Sequence, residues 1–168
     1  MRPDLPRLAL RVGVTGHRRL SPELLSELSG PIGTVLDRIA VQVRNIGKEA
    51  AGVFAAGEPS LAILSQLAVG ADQLVARLGL ERGYGVRAVL PFAPELFQLD
   101  FTDDEDCAEF HSLLARAEAC WHLPGERDRE DEAYALAGEA MVAQSDLLIA
   151  IWDGETARGP GGTGDVVD

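Results

Sequence analysis

Thiols are scarce in this sequence. Only Cys107 and Cys120 occur, with no Cys-x-x-Cys pair, so neither a disulfide framework nor a cysteine-based zinc site is available. Both read as buried structural thiols in a reducing compartment, and a cytoplasmic location is expected. No apolar run reaches 18 residues, which leaves no candidate membrane span. The first residues, "MRPDLPRLALRVGV", place an acid and two prolines before a short apolar run without a small-residue cleavage pattern, and so read as neither signal peptide nor anchor. Basic charge is sparse in the second half. Residues 85–168 carry 5 basic against 19 acidic groups, whereas residues 1–84 carry 10 against 8, for a formal net charge of −12. A surface that acidic repels phosphate backbones, so extended nucleic-acid contact is not expected, although a small anion can still enter a local basic pocket. His17, His111 and His122 are too dispersed for a zinc set, and no metal is expected. The absence of a Gly-x-Ser-x-Gly elbow and of a lysine-bearing Walker loop argues against a serine hydrolase and a P-loop NTPase.

Aromatic residues make up 5% of the chain and hydrophobic residues 46%, so the core must be built from Leu, Val, Ile and Ala. The length of 168 residues suits one domain. Five short apolar runs punctuate it: "LALRVGV" from Leu8, "SLAILSQL" from Ser60, "VRAVLPF" from Val86, "ACWHLP" from Ala119 and "LLIAIW" from Leu147. Each reads as a strand. The third and fifth are almost unbroken, the pattern of parallel strands covered on both faces.

Helical signals fill the intervals. Ser21, Pro22 and Glu23 supply an N-cap, a proline at the first helical position and a carboxylate at the dipole, and Leu25 to Ile46 recur at helical spacing. Gly30 and Pro31 predict a kink or a split in that helix. Leu74, Val75 and Leu78 mark a second helix ending near Gly83 and Gly85. Thr102 and Glu105 fit a capping box for a third, which explains the acidic run "DDEDCAE" without a cation. A fourth spans roughly 131–144 with Tyr134, Ala137 and Met141 in phase, after the charged loop "HLPGERDREDE". Alternating strands and helices predict right-handed crossovers and an α/β, Rossmann-like open parallel sheet of about five strands with helices on both faces.

Ligands of such sheets bind beyond the carboxyl ends of the strands. Three loops qualify. In "VTGHRRL", Thr15 and Gly16 end the first strand and His17 and Arg18 follow, a small turn beside a guanidinium able to grip a phosphate. In "LAVGADQL", Gly70 and Ala71 open a helix whose free N–H groups favour an anion, and Asp72 either orients the turn or accepts a ribose hydroxyl. In "WDGETARGPGGTGDVVD", Trp152 and Gly154 lead into a turn containing Gly161, Gly162 and Thr163, suited to deliver helix-terminal N–H groups to a phosphate. Trp121 and Trp152 read as core or pocket-rim residues, and Trp152 is placed to stack on a base.

"TGHR" after the first strand, "GAD" after the second, "SDLLIAIWDG" and "GGTGDVV" together resemble the SLOG superfamily, Rossmann-like domains related to the LOG phosphoribohydrolases and to bacterial DNA-processing proteins. The resemblance covers residues 11–168. It implies a domain that binds or senses a nucleotide or nucleotide-derived ligand, often fused to an effector module. "PGGTGDVVD" at 160–168 is similar to the LOG motif Pro-Gly-Gly-x-Gly-Thr-x-x-Glu, with Asp165 at the threonine and Asp168 at the glutamate. The alternative it implies is a LOG-like N-ribosidic hydrolase of nucleoside monophosphates, with Asp168 and Asp72 as the working carboxylates. No cofactor beyond a nucleotide ligand is expected. "DVVD" looks like the first turn of a further helix, so the bared sheet is expected either to be covered by a second copy in a homodimer or to accompany a poorly ordered end, and a longer chain is expected to be more stable.

Overall fold

The computed structural model describes residues 5–18, 20–154 and 163. The five apolar runs form strands β1 (Ala9–Gly16), β2 (Ser60–Ser65), β3 (Gly85–Leu90), β4 (Ala119–His122) and β5 (Leu147–Ile151), all parallel, in the order β4-β3-β2-β1-β5. The helices are α1 (Pro22–Glu49), α2 (Ala71–Glu81), the single turn α3 (Pro94–Phe97), α4 (Asp104–Ala115) and α5 (Glu130–Ala143).

Side chains alternate across the sheet and sort into two layers. Val12, Val14, Ile63, Val86, Ala88 and Leu90 meet the buried sides of α1 and α2, whereas Ala62, Leu64 and Val89 meet Met141 of α5. Helices therefore cover both faces. Gly13 brings α5 close to β1, because a Cβ there would collide with Ser145 and Met141. Arg11 fixes β5 beside β1: its N–H and Nε both donate to Asp146 Oδ2, at 2.8 and 3.1 Å, and the Asp146 N–H returns to the Arg11 carbonyl at 2.8 Å. The same guanidinium holds the Asp146 carboxyl below its ordinary range.

Five expectations need correction. The helix opened by Ser21, whose Oγ accepts from the Leu24 N–H, is not split: α1 runs unbroken through Pro31. Gly30 and Pro31 sit on the exposed side, where water can serve the carbonyl that loses its donor, while Ile32, Leu36, Ala40 and Val43 are buried beneath. That packing outweighs a proline penalty of about 3 kcal/mol. The cap of α4 is Asp103, not Thr102, with its Oδ1 accepting from the Glu105 N–H at 2.7 Å. β5 is an edge strand and is not covered on both faces, since Leu147 and Leu148 are 45% and 37% exposed. Being on the opposite edge, β4 exposes Cys120 and Trp121, so Cys120 is not a buried thiol and Trp121 is not a core residue. Cys107 is half-buried. No described helix is long and apolar enough to cross a membrane.

Candidate functional site

At the carboxyl edge, the loop after β1 and the loop after β2 are stitched together through the backbone. Thr15 is buried and pairs in register with Ala150, and Gly16 with Ile151. Beyond them the His17 N–H donates to the Ile151 carbonyl at 3.2 Å, and the His17 carbonyl accepts from the Ala71 N–H at 3.3 Å. Gly70 lies directly under this crossing with φ +91°; a Cβ there would stand 2.6 Å from both the His17 and the Arg18 carbonyl oxygens. Thr15, Gly16, His17, Arg18, Gly70 and Ala71 are thus brought together as the sequence suggests. The His17 ring reaches the third loop, where its Nε2 lies 3.2 Å from the Asp153 N–H and 3.1 Å from Asp153 Oδ1. Without a hydrogen that nitrogen accepts from the amide; carrying one it donates to the carboxylate.

Two of the first N–H groups of α2 are not open donors. The Ala71 N–H is spent on His17 and the Gln73 N–H on the Ala68 carbonyl at 3.2 Å. Asp72 takes the turn-orienting role. Its carboxylate is 6% exposed and its Oδ2 accepts from Ser65 Oγ at 2.9 Å and from the Gln66 N–H at 3.0 Å, while Ser65 Oγ accepts from the Leu67 N–H at 2.9 Å. These bonds hold a strained bend, in which Leu67 has φ +58°. Burial pushes the Asp72 carboxyl up to about 6, against the hydrogen bonds from Ser65 and Gln66 and the nearby Arg18 charge. So enclosed, the carboxylate is held by its own loop.

Arg18 is exposed and its Cζ lies 4.4 Å from the centroid of the Tyr134 ring. Beneath it runs a chain that sequence reasoning missed. Tyr134 Oη donates to Asp100 Oδ2, Asp100 Oδ1 accepts from Arg127 Nη2 at 2.6 Å, and Arg127 stands over the Phe92 ring at 4.9 Å. Phe92 meets Tyr134 edge to face at 5.7 Å. The helical phase of Tyr134 signalled only that it faces inward, and Arg127 read as part of a charged loop. Their partners are fixed by tertiary structure.

Arg18 also borders a cleft of about 720 Å³ between the starts of α1, α2 and α4, with Ser21, Gly70, Gln73, Arg77 and Asp106 among its walls. Arg77 is shared between Glu81 and Glu109, each at 3.6 Å, and Arg127 is committed to Asp100. Arg18 forms no ion pair among the described residues. Burial and the neighbouring Asp103 raise the Asp106 carboxyl. Trp152, directly after β5, is 36% exposed, Gly154 has φ +84°, and Thr163 is buried. Gly161, Gly162 and Asp168 lie outside the described residues. Among the described residues no group of three or more His, Cys, Asp or Glu side chains could hold a metal ion. His111 is bonded to Gln98 at 3.0 Å on the exposed side of α4, and His122 is exposed on β4.

No family model matches the chain, and no curated protein sequence matches it. Solved structures do. DNA processing protein A from Streptococcus pneumoniae superposes with a TM-score of 0.52 over 94% of this chain, at 16% identity. The structural-genomics target TM1055 gives a TM-score of 0.49 over 94% of this chain and 79% of its own, at 14% identity. This chain spans 44% of the length of DNA processing protein A, less than half of it. At such identity the likeness speaks for the fold alone: the chain has the Rossmann-like, open parallel α/β fold shared with the matched part of DNA processing protein A, the fold that the SLOG resemblance implies.

Proposed function

We propose that this domain binds a small nucleotide or nucleotide-derived anion at the carboxyl edge of its sheet, with Arg18 as the principal charge for a phosphate. The observation that carries this reading is the state of Arg18. In a chain with net charge −12, it stands at the mouth of a cleft on the loop after β1, close enough to the buried Asp72 carboxyl for their charges to interact but in no ion pair among the described residues. Arginine side chains near so many acids ordinarily pair; one kept apart retains its N–H edge for a ligand. Crossing of the three loops at this edge supports the same position, because ligands of open α/β sheets sit there.

The hydrolase alternative needs a carboxylate at the ribose. Asp72 is engaged by Ser65 and Gln66, and Asp168 lies outside the described residues, so neither of the two carboxylates named for that chemistry favours turnover over binding.

Arg18→Ala is expected to weaken binding of adenosine 5′-monophosphate by roughly 1.5 to 3 kcal/mol, the range for a hydrogen bond to a charged group. Isothermal titration of both proteins checks it. The same affinity in the variant removes Arg18 from the site. Release of free base during the wild-type titration would move the reading to the hydrolase.

A further inference from the structure

We infer that Tyr134 is a positioning residue for Arg18, an inference that rests on the phosphate-binding reading above and names how the binding arm is held. Arg18 comes from the loop after β1 and Tyr134 from the first turns of α5, so the pair ties that loop to the helix. The ring is immobilised from two directions. Its hydroxyl donates to Asp100, a carboxylate only 14% exposed and itself clamped by Arg127 at 2.6 Å, and its edge packs against the fully buried Phe92.

A tyrosine face suits this task better than a carboxylate would. An acid partner would occupy the in-plane N–H groups of the guanidinium and neutralise its charge. An aromatic face attracts the cation from above and leaves the N–H edge open for a bidentate contact. A free arginine also has many rotamers to lose when it binds, at a cost of up to about 2 kcal/mol. Stacking in the unliganded protein removes part of that loss beforehand, which is why the ring should show in affinity and not only in stability.

The test uses the whole chain and adenosine 5′-monophosphate as the probe. Tyr134→Phe keeps the ring and removes the hydroxyl; Tyr134→Leu removes the ring. Binding within about twofold of wild type is expected for the phenylalanine variant and a loss of about tenfold for the leucine variant. Equal affinity in Tyr134→Leu and wild type overturns the inference, as does a loss in Tyr134→Phe as large as that in Tyr134→Leu. A second measurement needs no ligand and no disruptive variant: the Arg18 side-chain protons of the unliganded wild type and of Tyr134→Phe should show an upfield ring-current shift in the NMR spectrum. Absence of that shift in the wild type overturns the inference whatever binds. A present shift with no binding of the nucleotide supports Tyr134 as the holder of Arg18 and overturns the phosphate reading, so the two failures are told apart.

Discussion

Gly70→Ala is expected to destabilise the fold by about 2 to 4 kcal/mol, and to abolish nucleotide binding in whatever fraction remains folded. Two costs combine. Gly70 caps α2 with φ +91° and ψ −118°, a region that L residues rarely enter. Its missing Cβ also leaves room for the chain crossing above, since that atom would stand 2.6 Å from the carbonyl oxygens of His17 and Arg18. Both contacts are backbone, so a rotamer change cannot relieve them; the loop that presents Arg18 must move. Gly83→Ala supplies the comparison. Gly83 has φ +79°, but a Cβ there meets nothing within 4 Å, so only the backbone strain of about 1 kcal/mol remains. Urea unfolding of the two variants beside wild type separates strain from collision. If Gly70→Ala proves no more destabilising than Gly83→Ala, the close crossing at the site is not rigid enough to matter.

What the sequence made legible follows from how local each signal is. A run such as "SLAILS" reads as a strand from its length and its bounding loops, and its burial on both faces follows from its place as β2, the central strand. "LLIAI" carries the same local pattern and yet lies at an edge. Periodicity records what a strand could bury, and neighbours decide what it does bury. Capping shows the same limit on a smaller scale. Ser21 was unambiguous because a proline follows it, whereas Thr102, Asp103 and Asp104 are all competent caps, and only the backbone path selects Asp103.

The site divides along the same line. Thr15, Gly16, Arg18 and Gly70 could be placed from the sequence because strand ends in a parallel sheet converge by rule. The stack of Arg18 on Tyr134 could not, since it joins residues far apart in the chain, with a second aromatic ring and a half-buried carboxylate behind it. Asp72 reads with two roles because an acid at the start of a helix serves either; the bonds from Ser65 and Gln66 display the turn-orienting one.

That placement leads to a large pH effect. The folded-state carboxyl of Asp72 is raised from the ordinary 3.8 to about 6, chiefly by burial. Between those values the folded chain binds more protons than the unfolded chain, so stability from this group is complete below about pH 4 and is lost as pH rises through 6. A shift of that size corresponds to roughly 3 kcal/mol across the window. Asp72→Asn removes the titration while leaving a carbonyl oxygen to accept from Ser65 Oγ and the Gln66 N–H. Relative to wild type, the asparagine variant should therefore gain stability progressively between pH 4 and pH 7, by roughly 3 kcal/mol in all. Asp72→Ala should lose about 2 to 4 kcal/mol near pH 4, where wild-type Asp72 is neutral and carries no charge penalty, because both donors are then left buried without an acceptor. Urea midpoints of the three proteins at pH 4, 5, 6 and 7 measure these differences. Parallel curves for wild type and Asp72→Asn would mean that the carboxylate is solvated well enough to ionise normally. The loop after β2 would then have to open to water, carrying with it the support beneath Gly70 and Arg18.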